Sequence, residues 1–137
     1  MVTLEHYIDN LELIEVAIFE ESVKRNFEVD KQLSEDQFTF ENTFTLQNSE
    51  KTSTFRFKFT LQSQLSTILV DLGVIFANPS QIEVEREVQL EFASKVALMV
   101  AYPYVRSSIW ASAARLGLPR PTLGLIRPDQ IKFESLP

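Results

Sequence analysis

Few side chains in this 137-residue chain are equipped for chemistry. His6 is the single histidine and the one candidate general base, and no nucleophile accompanies it in sequence. It therefore reads as a surface histidine near the N-terminus. Glu20-Glu21 and the alternating Glu83, Glu85 and Glu87 have the makings of an acid–base pair or a hard-cation site. No polar ligands neighbour them, however, and such runs are usually solvated faces. The absence of cysteine excludes disulfides, thiolate zinc sites and a cysteine nucleophile, and one imidazole builds no metal cluster. Three glycines do not suffice for a phosphate-binding loop or a nucleophile elbow as well as the turns. The chain is expected not to be an enzyme and to hold neither metal nor cofactor.

Charge bounds the partners. Lys and Arg number 13 against 19 Asp and Glu, a net charge of −6. No basic run is longer than Lys24-Arg25, so nucleic acid is not an expected partner. The longest apolar run, Val96 to Tyr102, falls far below the ~20 residues that a membrane-spanning helix needs. Met1 to Asn10 carries Glu5 and Asp9 without a basic start, so no targeting segment is read and a cytoplasmic protein is expected, with no membrane insertion. Length and a 45% hydrophobic content suit one domain covering residues 1–137. The surplus is aromatic: of eleven phenylalanines, Phe38, Phe40, Phe55, Phe57 and Phe59 concentrate on two neighbouring strands. They form either the core or, in part, a hydrophobic groove open to extended apolar polypeptide, and the pattern does not divide them.

The elements that position these residues follow from periodicity. A first strand, about Leu11 to Val23, has apolar residues on both parities, as in a strand contacted on both faces or carrying a bulge. A second, about Gln37 to Gln47, alternates through Phe38, Phe40, Phe44 and Leu46. A third puts Phe55, Phe57, Phe59 and Leu61 on one face and Arg56, Lys58 and Thr60 on the other. A fourth, about Ser66 to Ala77, sets Ile68, Val70, Leu72, Val74 and Phe76 against a mixed face of Leu69, Asp71, Gly73 and Ile75. Short connections make the last three an antiparallel meander, closed by Asn78-Pro79-Ser80.

A helical period then takes over through Val88, Phe92, Val96 and Val100, resumes after Pro103 through Val105, Ile109, Trp110, Ala113 and Leu116, and stops at Gly117. The expectation is an α+β fold: a four-stranded antiparallel sheet with one long helix, kinked near Pro103, on one face, and a short C-terminal element. Small residues (Ala97, Ala101, Ser107 and others) lie off that stripe. They predict a second copy packed on the helix, with Ala97, Val105, Ile109 and Trp110 as interface residues of a homo-oligomer.

Tyr102-Pro103-Tyr104-Val105-Arg106 is similar to an aromatic-Pro-Tyr-x-Arg motif in the long helix of the SecB family of bacterial export chaperones. Ala114-Arg115-Leu116-Gly117-Leu118-Pro119-Arg120-Pro121-Thr122-Leu123 resembles that family's following loop, and the element order extends the likeness over most of the chain. The resemblance implies a tetramer, a dimer of dimers, that binds unfolded polypeptides or preproteins without ATP. It implies a peptide groove at Leu118, Leu123 and Leu125, with Tyr102 and Tyr104 beneath, and a contact for a SecA-type motor at Glu20, Leu69 and Asp71. Where the family continues with a second helix and tail, this sequence ends at Pro137, which implies a more open groove and a weaker or absent motor contact. SecB-like relatives that guard an antitoxin resemble the motif equally. Three readings stay open: an export chaperone, a chaperone dedicated to an antitoxin, and a non-chaperone structural or assembly protein of the same fold.

Overall fold

The computed structural model describes residues 2–26, 39–63, 66–118 and 132–133. Helix α1 (Leu4–Asn10) leads into strand β1 (Glu12–Arg25), followed by β2 (Thr39–Asn48), β3 (Thr52–Gln62) and β4 (Ser66–Ala77). A long helix then runs as α2 (Arg86–Phe92), a π-helical turn (Ala93–Ala97) and α3 (Leu98–Arg115), and a two-residue strand β5 (Lys132–Phe133) closes the order. The sheet order is β1-β4-β3-β2-β5. β1 to β4 pair antiparallel, and β5 lies parallel to β2 at Thr43 and Phe44. Four antiparallel strands and a long helix are the expected architecture, with α1 the addition. Thr3 caps α1 by accepting the His6 N–H at 3.2 Å.

Strict alternation does what the period of two predicts. Phe55, Phe57, Phe59 and Leu61 of β3 and Ile68, Val70, Leu72, Val74 and Phe76 of β4 are buried on the helix side, together with Phe44 and Leu46 of β2. The phenylalanines are thus core, not groove: Phe44 lies 5.2 Å from Phe57 and 6.0 Å from Phe55, and Phe92 of α2 sits 4.9 Å from Phe55 and 5.0 Å from Phe76. Phe40 is half-buried over Phe59 at 5.5 Å. Phe38 lies outside the described residues. Each fully buried ring contributes about 1.5–3 kcal/mol by leaving water. Tyr7 fixes α1 to the same cluster, its ring 5.0 Å from Phe92.

The helix meets this aromatic face with small side chains. Ala93, Ala97, Ala101, Val105, Ile109 and Ala113 form one row, spaced by four and wholly buried against the sheet. The expected stripe holds at Phe92, Val105, Ile109 and Ala113 and is corrected at Val96 and Val100, which are half-buried; the expected interface is corrected too. Ala97, Val105 and Ile109 are enclosed within their own chain, so a second copy has no access to them; Trp110 is half-buried. The π-turn follows a step in which Phe92 and Ala93 are both buried; beyond it the fully buried row continues through Ala97, and Val96 is only half-buried. α3 runs on through Pro103, which has no N–H to donate and lies on the exposed side of the helix, and the departure from α geometry comes earlier, at 93–97. Gly117, at φ 67°, ends the helix, with the Leu118 N–H on the Ala113 carbonyl at 2.9 Å and the Gly117 N–H on the Ala114 carbonyl at 3.0 Å.

Candidate functional site

Polar side chains first define what the molecule holds fixed. Glu21 of β1 accepts from Ser108 Oγ at 2.6 Å and from Arg115 Nη2 at 2.5 Å. Arg25, further along the same strand, donates to the Leu116 carbonyl at 2.8 Å, satisfying one of the orphan carbonyls at the helix end. The end of β1 thus latches the C-terminus of α3. The Ser108 hydrogen bond, followed by Arg115, holds the Glu21 carboxyl below its ordinary range.

On the opposite, outer face of the sheet, Arg56 of β3 forms a bidentate pair with Asp71 of β4, Nε to Oδ1 and Nη2 to Oδ2 both at 2.8 Å. This hydrogen bonding raises the already high pKa of the guanidinium. Arg56 also lies 4.5 Å from the centroid of the Phe19 ring. Phe19 sits at a register shift between Ile18 and Glu20, and its ring rests on Gly73, where any side chain would meet it. Thr43, Thr45, Arg56, Lys58 and Asp71 line a hollow of about 160 Å³ beside this stack.

A second hollow, of about 190 Å³, opens at the end of the sheet between Tyr7, Asn48, Ser53, Asn78 and Gln89. Burial pushes the Tyr7 phenol upward, partly offset by its hydrogen bond to Ser53. Its described lining holds amides, hydroxyls and carboxylates, with no histidine, lysine or arginine. Among the described residues, no three side chains of metal-ligand type converge, and no helix is long and apolar enough to cross a membrane.

What the described residues do display is apolar surface. Along β1, Leu13, Ile14, Ile18 and Phe19 are 47%, 53%, 49% and 48% exposed, and on the long helix Met99 and Tyr104 are 55% and 50% exposed. β1 is the outermost strand on its side of the sheet, so its outward backbone groups border this apolar row. Two register shifts, at Leu13/Glu15 and Ile18/Glu20, set apolar residues on both of its faces. That is why both parities of this strand are apolar in the sequence.

The predicted groove residues do not assemble as one lining. Tyr104 is exposed, whereas Tyr102, at 8%, belongs to the buried side of the helix beneath Arg106, so the expectation that it lines an open groove is corrected. Leu118 is half-buried and packs against the core. Leu123 and Leu125 lie outside the described residues. The predicted motor-contact residues do share the outer face: Glu20 stands opposite Asp71, and Leu69 opposite Ser22. Asp71, however, is 5% exposed and has both carboxylate oxygens occupied by Arg56, which leaves Glu20 as the exposed one of the two acids. Phe19, Arg56 and the Glu21 latch were not singled out by sequence reading. The signal for the first was an apolar residue out of phase beside Ile18; the last had none.

No established family model matches the chain. Among curated proteins it is 33% identical over 130 residues to the SecB-like chaperone SmegB of Mycolicibacterium smegmatis, spanning 95% of this chain and 85% of that protein. Among solved structures, its fold is similar to the Mycobacterium tuberculosis Rv1957 SecB-like chaperone in complex with a ChAD peptide from the Rv1956 HigA1 antitoxin. That match has a TM-score of 0.75 at 15% identity and covers 89% of this chain and 95% of that one. A protein of unknown function from Streptococcus agalactiae matches with a TM-score of 0.52 at 17% identity, over 84% of this chain and 97% of that one. The extent of the first match, on a sheet and helix of the same architecture, establishes that the chain belongs to the SecB-like chaperone family.

Proposed function

We propose that the chain is an ATP-independent chaperone that keeps unfolded polypeptides soluble by covering their apolar segments. The observation that carries this is the outermost strand whose apolar side chains, Leu13, Ile14 and Ile18, stay about half exposed. A monomer that worked alone would hide such a row, because it invites pairing with another chain. Unfolded clients expose much apolar area, at ~25 cal/mol per Å², so many weak contacts suffice without sequence readout. The family relationship supports the same reading.

In this reading copies of the chain also join into a homo-oligomer, a tetramer built as a dimer of dimers. The protein works in the cytoplasm without cofactor or catalytic step, and Tyr104 and Met99 belong to the client-contacting surface. A second reading is favoured by the antitoxin peptide bound to the structurally similar M. tuberculosis chaperone: a chaperone dedicated to one antitoxin segment. Handing clients to a SecA-type motor is left out of this reading, since Asp71 of the contact implied by the resemblance is occupied by Arg56. The test is suppression of aggregation of several refolding clients at near-stoichiometric ratios. General suppression supports the broad chaperone, and preference for one short segment with little general activity supports the dedicated one. Failure on every client and segment overturns both.

A further inference from the structure

The hollow of about 190 Å³ at the end of the sheet has hydroxyl oxygens in its floor. Tyr7 and Ser53 are each 1% exposed and hydrogen-bonded to one another. Ser53 Oγ gives its proton to Asn48 Oδ1 at 2.8 Å, so the Tyr7 hydroxyl is the donor between the two. Both hydroxyl protons are then spent, and among the described residues no further donor reaches either oxygen. Burial pushes the Tyr7 phenol up, which keeps its proton in place. The floor thus presents buried lone pairs without a hydrogen to fill them. Asn78 supplies none, because its Nδ2 is engaged by the Ile82 carbonyl at 3.1 Å. The rim is acidic, with Glu50 from the turn after β2 and Glu83 from the segment after β4. On the bordering elements, α1 and residues 48–53 and 78–89, the carboxylates are Glu5, Asp9, Glu50, Glu83, Glu85 and Glu87 and the cations Lys51 and Arg86, a net of 2 − 6 = −4 with His6 neutral. Glu12, at the same end of the sheet opposite Ala77, adds to that sign. Neither Lys51 nor Arg86 forms an ion pair among the described residues.

We propose that this hollow is a binding site for a primary alkylammonium group. Its N–H donors fill the lone pairs of Tyr7 and Ser53, its charge lies between Glu50 and Glu83, and its alkyl stem rests on half-buried Ile82. An ammonium has three donors and no acceptor, which is the complement of a floor whose protons are already spent. Other occupants match only part of the site. An alcohol brings no charge, and a quaternary ammonium brings no N–H. A calcium ion takes about six to eight oxygens, whereas no three side chains of metal-ligand type converge among the described residues. The bound group bridges α1, the turn after β2 and the segment after β4, so it pins α1 to the end of the sheet and favours the folded chain. The site uses neither the apolar row of β1 nor the exposed side of the long helix, and it stands independently of client holding.

The probe is n-butylammonium chloride, compared at matched ionic strength with butan-1-ol, tetramethylammonium chloride and calcium chloride. Binding to the full chain is followed by amide chemical shifts and by the melting temperature. The expected result is a saturable shift of Tyr7, Ser53, Asn78 and Gln89, with a Tm that rises with amine concentration. Affinity for the amine should exceed that for butan-1-ol by about tenfold, about threefold from each rim carboxylate. Glu50→Gln and Glu83→Gln should each weaken the amine by about threefold, and Tyr7→Phe should weaken it while keeping the ring against Phe92. Both glutamates are exposed, so their variants report on binding even where Tyr7→Phe disturbs the fold. A blocked lysine amide carries the same head group: tighter binding of butylammonium assigns the site to free amines, tighter binding of the lysine assigns it to a partner's side chain, and each upholds the ammonium site. Equal affinity for butan-1-ol or tetramethylammonium, an affinity unchanged in both glutamine variants, or displacement of the amine by calcium at lower concentration overturns the proposal.

Discussion

Gly73 decides the arrangement of the outer face at the scale of one atom. A Cβ built there would stand 2.6 Å from Phe19 Cε2 and 3.1 Å from both Phe19 Cζ and Thr54 Cγ2. The closest of these atoms is the far end of a half-exposed ring, so Gly73→Ala would displace Phe19 and break its contact with Arg56, at about 1 kcal/mol. With the ring gone the sign reverses, because glycine is a poor strand residue: in a Phe19→Ala background Gly73→Ala should stabilise by about 0.5 kcal/mol. A double-mutant cycle by chemical denaturation checks this, and simple additivity would refute the stacking account. The period of two in β3 and β4 already placed Arg56 and Asp71 on one face. Their pairing was not legible, because the register of a hairpin depends on its turn and not on alternation alone. Phe19 was hidden for a related reason: in a strand apolar on both parities, a bulge leaves no break in the pattern.

Elements are where sequence periodicity was most and least informative. β4 ends where its alternation ends, and the helix stops at Gly117 as expected, since each boundary has a local chemical cause. The helical phase was misread by one residue before Pro103, whereas Val105, Ile109 and Ala113 beyond it are buried as expected. Val96 and Val100 are larger and more apolar than Ala97 and Ala101, so pattern reading favours them, but a π-turn and a sheet already crowded with phenylalanine favour the small row. Helix α1 escaped notice because it is only two turns long: Leu4, Tyr7 and Leu11, which pack on the core, are too few to stand out as a helical period.

The latch between β1 and α3 leads to a pH-dependent prediction. Glu21 is held below its ordinary value of 4.5 by Ser108 first and Arg115 second. A carboxylate depressed in the folded state contributes stability that is present in full above the unfolded value and is lost as pH falls below it. Glu21→Gln should therefore flatten the loss of stability on acidification below about pH 4.5. Solvent screening at this partly exposed site keeps the difference under about 1 kcal/mol. Denaturation midpoints measured from pH 6 downward check it, and parallel curves for both proteins would refute the latch.

At the scale of the whole molecule, the core is complete within one chain, while apolar surface remains on β1 and on the long helix. Fold class and family were legible because the alternating strands and the motif around Pro103 are local. The surface was not, since exposure depends on which strand ends at the edge of the sheet, a property of topology. The account holds that this surface captures unfolded chains. The most direct measurement is the mass of the native particle by light scattering, alone and with an unfolded client polypeptide. The account predicts a particle of four times 15.7 kDa that gains the mass of bound client. A 15.7 kDa monomer whose mass is unchanged by every client would contradict it.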